Sequence, residues 1–218
     1  MKFLGPPSSG SARGDTFSRN RFGQYCRNRS SPVQPRTPAQ LLQRARMVTS
    51  AAGWRALTDV QRAGWESLGA MISRTDSLGQ VYTLTGFMAY CSVNNNLQDA
   101  GGSPVATAPV LNTPPDLLTA TITLTAAALS VAYTATPLGA GVRLFVFASP
   151  QRSAGRSFEG DYRLISVSGA AAASPFNVFT PYQAKFGTPV VGNRVFFKLQ
   201  TYRDGFLGSP LGVSQVVA

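Results

Sequence analysis

Apolar residues recur along this chain in two rhythms, and the change of rhythm divides it. Between residues 37 and 99 the spacing is helical. Thr37-Pro38 pairs an N-cap residue with Pro at the first helical position. Leu41, Ala45, Val48 and Ala52 follow at intervals of four, three and four, tracing one face of a helix that ends near Gly53. Thr58-Asp59-Val60-Gln61 has the capping-box pattern, with Gln61 placed to reach back to the Thr58 amide. Leu57, Gln61, Trp65, Leu68 and Ile72 form a second stripe centred on Trp65. Gln80–Leu84 alternates enough for a short strand, and Thr85-Gly86 opens a third helix carrying Phe87, Tyr90 and Leu97. Three short helices bury little area, so this unit is expected to lean on something else.

From Leu117 onward the period becomes two. Alternating β-branched and aromatic runs occupy Leu118–Thr125, Leu129–Thr136, Val142–Ala148, Tyr162–Val167, Phe176–Thr180, Arg194–Arg203 and Val213–Val217. Turn signals separate them: Pro137-Leu138-Gly139, Ser153-Ala154-Gly155, Ser168-Gly169, Gly192-Asn193, Asp204-Gly205 and Gly208-Ser209-Pro210. About seven strands in roughly 100 residues predict an all-β immunoglobulin/fibronectin-like sandwich over 117–218. No cysteine pair crosses it, which excludes the antibody-type disulfide. Residues 100–116 read Gly-Gly-Ser-Pro, Thr-Ala-Pro and Thr-Pro-Pro-Asp, a Pro-rich linker and the expected domain boundary. Residues 1–36 form an extended arm. Within it Thr16–Arg19 and Gln24–Arg27 flank Asn20-Arg21-Phe22-Gly23, where Gly23 is placed to close a hairpin. Ser30–Arg36 is expected to run extended, since each Pro pushes its predecessor out of the helical region. The fold class is therefore α+β: basic arm (1–36), small three-helix unit (37–99), linker (100–116) and sandwich (117–218).

Charge changes the picture most at the arm. The chain carries a net +11, yet residues 1–46 hold nine basic residues (Lys2, Arg13, Arg19, Arg21, Arg27, Arg29, Arg36, Arg44, Arg46) against one acid, Asp15. A Gly-, Ser- and Pro-rich basic segment gains order by lying on an acidic protein surface or on nucleic acid. Its apolar handles are Phe17, Phe22 and Tyr25, interleaved with Arg19, Arg21, Arg27 and Arg29. These seven residues are the candidate partner-binding set. Bidentate Arg–carboxylate pairing suits docking on protein. Phosphate neutralisation with base stacking suits nucleic acid, and a solvated tail is the third reading. Over the whole chain charged residues make up only 13%, so partner subunits are expected to cover part of its surface.

Catalytic chemistry is thinly supplied. The chain contains no histidine, the commonest general base and metal ligand. Glu159 and Asp161 flank a glycine in an expected loop, too few oxygens for a calcium site, and read better as solvated. Cys26 lies among Arg21, Arg27 and Arg29, which would lower its pKa, but no base pattern accompanies it. Cys26 and Cys91 are expected as thiols, with one disulfide between arm and helices as the alternative. Arg13-Gly14-Asp15 matches a cell-adhesion tripeptide, too short a match to carry weight. No catalytic residue, metal site or cofactor is predicted, and the chain is expected not to be an enzyme. Met1–Pro7 lacks the apolar run of a secretory signal, and no stretch of about 18 apolar residues predicts a membrane span.

Residues Arg19 to Asn96 resemble a group of uncharacterised bacteriophage and prophage proteins. The elements that carry this are Ser18-Arg19-Asn20-Arg21-Phe22-Gly23-Gln24-Tyr25; Pro32-Val33-Gln34-Pro35-Arg36-Thr37-Pro38-Ala39-Gln40; Trp54-Arg55-Ala56-Leu57-Thr58-Asp59-Val60-Gln61-Arg62-Ala63-Gly64-Trp65; Leu84-Thr85-Gly86-Phe87; and Asn94-Asn95-Asn96. Such proteins often continue through a Pro-rich linker into a fibronectin-like domain. The resemblance implies a structural component of the virion, made in the bacterial host cytoplasm: a minor capsid, cement or decoration protein, or a tail or connector component. Its partners would be other virion proteins or further copies of itself in a multi-copy assembly, with no membrane involved. Two other classes stay open: a nucleic-acid-binding module using the arm, and an adhesin or fibre-like protein using the sandwich.

Overall fold

The computed structural model describes residues 8–20, 23–30, 33–75, 79–134, 136 and 138–218. Arg21 and Phe22 of the candidate set lie outside these, as do residues 1–7, Ser31, Pro32 and Pro137. The elements run in the order β1 (Gly10–Ala12), β2 (Asp15–Asn20), β3 (Gly23–Asn28), α1 (Pro38–Ala56), α2 (Asp59–Met71), β4 (Ser73–Thr75), β5 (Val81–Thr83) and α3 (Gly86–Asp99). There follow β6 (Thr119–Leu124), β7 (Leu129–Thr134), β8 (Arg143–Ala148), β9 (Arg163–Val167), β10 (Phe176–Asn177), α4 (Phe179–Phe186), β11 (Arg194–Arg203), β12 (Phe206–Leu207) and β13 (Leu211–Val216). The fold is mixed α+β, with four helices and antiparallel sheets among the described residues. Contacts divide the chain into two compact units, 1–44 and 45–218.

In the second unit the helices start where their caps demand. Gln61 N–H donates to Thr58 Oγ1 (3.3 Å) and Thr58 N–H to Gln61 Oε1 (2.9 Å), the reciprocal box that opens α2. Thr85 Oγ1 accepts from Met88 N–H at the start of α3. Leu57, Trp65, Leu68, Ala89, Tyr90 and Val93 form a buried cluster, with Trp65 edge-on to Tyr90 at 5.2 Å. The Trp65 stripe is therefore the buried one. The Leu41–Ala45–Val48–Ala52 stripe is not: these four residues are solvent-exposed. α1 packs through the other side, with Ser50 buried and Trp54 against Phe87 and Tyr90 of α3. It also runs three residues past the expected end at Gly53.

In the C-terminal β-region, sheet β10–β7–β6 and sheet β12–β11–β8–β9, with β13 on β11, share one core. Ten-residue β11 is its hub, pairing with β8, β13 and β12. Inward residues alternate along it: Val195, Phe197 and Leu199 enter the core beside Leu144, Val146 and Ala148 of β8. One expected strand is corrected. Only Phe176 and Asn177 of 176–180 pair as β-structure, and the chain then enters α4. Asn177 Oδ1 accepts from Phe179 N–H (3.0 Å), and Phe179, Tyr182 and Phe186 turn a helical spacing toward the core. The short strands β1, β4 and β12 give too few positions for an alternation to show.

The segment expected as a free linker is pinned within the second unit. Asn94 grips the Val105 backbone twice, accepting from its N–H (2.7 Å) and donating to its carbonyl (3.3 Å). Trp65 Nε1 donates to the Ala106 carbonyl (2.8 Å), and Asp116 Oδ1 accepts from Ser209 N–H (2.9 Å). The β-region is seated on the helices directly. The Asp204-Gly205 turn carries Phe206 into the Trp65–Tyr90–Val93 cluster. Asn96 Nδ2 donates to the Gly205 carbonyl (2.8 Å), and Arg143 on β8 donates to the Ala100 carbonyl (3.0 Å) at the end of α3. Phe145, Tyr202 and Ala100 close a third cluster there, with Leu97 against it.

Gly205 meets two demands at once: φ is +91°, and a Cβ would come within 2.5 Å of Val93 Cγ1. Gly205→Ala should therefore cost at least the about 1–3 kcal/mol of a strained backbone position. Phe206→Ala should cost about 3–5 kcal/mol. Urea unfolding of the full chain, followed by tryptophan fluorescence and by far-UV circular dichroism, measures both. In the Phe206 variant the two signals should separate, the helices melting first.

Candidate functional site

The arm holds the predicted partner-binding residues. β2 and β3 pair from Asp15↔Asn28 to Asn20↔Gly23, and β1 adds to the other side of β2 with Gly10↔Phe17. Gly23, at φ +113°, follows the hairpin loop as its position in the sequence required. Ser11 and Thr16 hydroxyls bond across β1–β2 (2.9 Å), and Arg29 N–H donates to the Gly14 carbonyl (2.7 Å).

Strand alternation then sorts the side chains. Asp15, Phe17 and Arg19 share a face with Gln24 and Cys26, whereas Tyr25 and Arg27 share the other with Thr16 and Ser18. Sequence proximity suggested a single patch. The register divides its described strand residues between two faces, Phe17 with Arg19 on one and Tyr25 with Arg27 on the other. Phe17 and Tyr25 are half-buried, while Arg19, Arg27 and Arg29 are exposed. None of the described residues in 8–44 is buried. Among the described residues this sheet has strand pairing and no buried core residue.

Cys26 corrects another expectation. Its thiol pKa is raised, first by burial and next by the Asp15 carboxylate on the same face, where the neighbouring arginines were expected to lower it. Strand alternation turns Arg27 to the opposite side. Burial also raises the Cys91 thiol, against a lowering hydrogen bond with Ser50. Neither cysteine is in a disulfide. Both stay largely protonated near neutrality, the less nucleophilic form.

The Glu159–Asp161 loop is not solvated as expected. Glu159 is 4% exposed. Its carboxylate accepts from Arg152 Nε, from Gly160 N–H (2.9 Å) and from Asp161 N–H (3.0 Å), with Arg156 Nε at 3.6 Å. The Arg152 hydrogen bond, then the Asp161 amide, hold its pKa at about 2. Arg156 N–ε donates onward to the Phe158 carbonyl (2.7 Å), and Arg194 to the Arg156 carbonyl (3.0 Å). The carboxylate's oxygens are thus committed to protein donors, which makes it an internal anchor. Asp161 pairs with Arg163 (3.2 Å) instead of joining it.

Within the second unit a cleft of about 300 Å³ opens between α3, β4 and β12. Arg74 is the one titratable side chain among its lining residues, and Asn96 and Gln200 spend their amides on the Gly205 and Gly208 carbonyls. The lining has no nucleophile–base pair. Among the described residues no group of three or more Cys, Asp or Glu converges on a metal position, and no helix is long and apolar enough to cross a membrane.

Sequence reasoning overlooked the work of Asn94 and Asn96, which tie the helices to 105 and to 205 respectively. Three consecutive asparagines near a helix end were the only signal. No protein-family model matches this chain, and no curated protein matches it.

The anchored carboxylate gives a pH prediction. Glu159 ionises at about 2 when folded against 4.5 otherwise. The stability it supplies is complete above pH 4.5 and drains away as pH falls toward 2. Thermal melts across pH 2–6 should show Glu159→Gln less stable than the parent near pH 6, with a shallower loss on acidification.

Proposed function

We propose that this chain is a structural component of a bacteriophage particle, a minor capsid, cement or decoration protein that attaches through its N-terminal arm to neighbouring subunits. One observation carries the reading: a strand-paired arm, strongly basic, in which no described side chain is buried. A three-stranded sheet without a hydrophobic face is marginal in water. Such a segment gains its stability from surfaces that it meets on assembly. Having an aromatic and an arginine on each face suits insertion between two surfaces, and the open edges of β1 and β3 suit strand addition.

The rest of the chain supports a body that the arm holds in place. The strand order β10–β7–β6 with β9–β8–β11–β13 supports an immunoglobulin/fibronectin-like sandwich over 117–218. The helices α1, α2 and α3 act as its small helical base, and the pins at Val105, Ala106 and Gly205 favour one stiff piece over a swinging domain. Copies of this body would sit at the particle surface, repeated with the underlying shell. The same attachment would serve a tail or connector position.

Replacing Arg19, Arg27 and Arg29 together by Glu should remove the protein from purified particles while the melting of 45–218 stays unchanged. Particle composition by mass spectrometry reads the first effect, and circular dichroism reads the second. Undiminished incorporation would defeat the proposal. Tight binding of DNA or RNA by the full chain, falling steeply with salt and lost in the same variant, would transfer the arm to the nucleic-acid reading.

A further inference from the structure

The four-three-four stripe of α1 is left over once the packing of the helix is accounted for. Leu41 is 50% exposed and Val48 69%. Ala45 and Ala52, which complete the stripe, are exposed as well. Ser50 and Trp54, each two residues beyond a stripe position and so about 200° round the helix, supply the buried side. The helix is thus apolar on two opposite sides, and the more regular one faces water. Most helical stability in proteins comes from packing an amphipathic face, so a partner for the second side would stabilise the element as well as bind it.

Charge indicates what that partner is. Arg44 stands three residues after Leu41 and four before Val48, and Arg55 three after Ala52, so exposed arginines line one edge of the stripe. No acidic residue occurs between Asp15 and Asp59. Pairing two copies through this face would offer the arginines no carboxylate. We infer that the Leu41–Ala45–Val48–Ala52 face docks, in helix-in-groove fashion, into an apolar groove edged by carboxylates on a different protein. Leu41 and Val48 are the anchors, Ala45 and Ala52 let the groove walls approach, and Arg44 and Arg55 meet the acidic rim. The identification of that protein as a particle subunit rests on the function proposed above; the docking face itself does not.

The test places a photoreactive benzophenone side chain at position 48 of the full chain, in cells that assemble particles. The control places it at Gln43, exposed on a different side of the helix. Irradiation should join position 48, and not 43, to one other protein, at a segment carrying both acidic and apolar residues. With the photoreactive group at 48, Arg44→Glu with Arg55→Glu, and separately Leu41→Glu, should each cut the yield about tenfold or more. All these positions are exposed, so melting should not change, and loss of the adduct cannot be ascribed to unfolding. An adduct with a second copy or with nucleic acid, equal labelling from 43 and 48, or no adduct at all would overturn the docking face. Whether the captured protein belongs to the particle is read separately from particle composition, so the two proposals can fail independently.

Discussion

Phe206 seated among Trp65, Tyr90 and Val93 is the contact on which the second unit depends. It belongs by sequence to the β-region and by packing to the helices. Around it a ring of polar contacts fixes position: Asn96 on the Gly205 carbonyl, Arg143 on the end of α3, and Asn112 on Asp204 (3.2 Å). Apolar burial supplies most of the energy, and the hydrogen bonds choose the orientation. Remove the aromatic ring and the helices would be left with a hole where their core should close, because α2 and α3 alone bury too little.

The first unit is built on the opposite principle. Its strands satisfy each other's backbone groups, yet among the described residues of 8–44 no side chain is buried. Such a segment is suited to meeting a surface that complements it in shape and sign. Ordering it costs on the order of 1–2 kcal/mol per residue, which strand pairing within the chain partly offsets.

How much of this was legible in the sequence depends on how local each cause was. The capping box at Thr58, the Trp65 stripe and the full extent of β11 were readable because their signals lie within a turn or a strand. The hairpin of β2 and β3 was readable from Gly23 for the same reason. The α1 stripe had an apolar period as clear as that of α2, yet it faces solvent, because Ser50, Gly53 and Trp54 offered α3 a closer approach on the other side. The pinned segment 100–116 was hidden because its partners, Asn94 and Trp65, lie in other elements, and Pro and Gly content alone reads as slack. The division of Phe17, Arg19, Tyr25 and Arg27 between two faces needed the strand register. Glu159 was misplaced because burial by two arginines and two amides leaves no trace in hydropathy.

The hairpin bearing Phe206 also bears on how such a chain can be recombined. The Pro-rich stretch invites exchange of one C-terminal module for another, as a cassette. Any module brought in that way would have to arrive with its own residue shaped like Phe206, on a turn that tolerates a backbone as close as Gly205 permits. Recombination at this point is thereby restricted to donors carrying a compatible key, or to crossovers that move helices and module as a single inheritance.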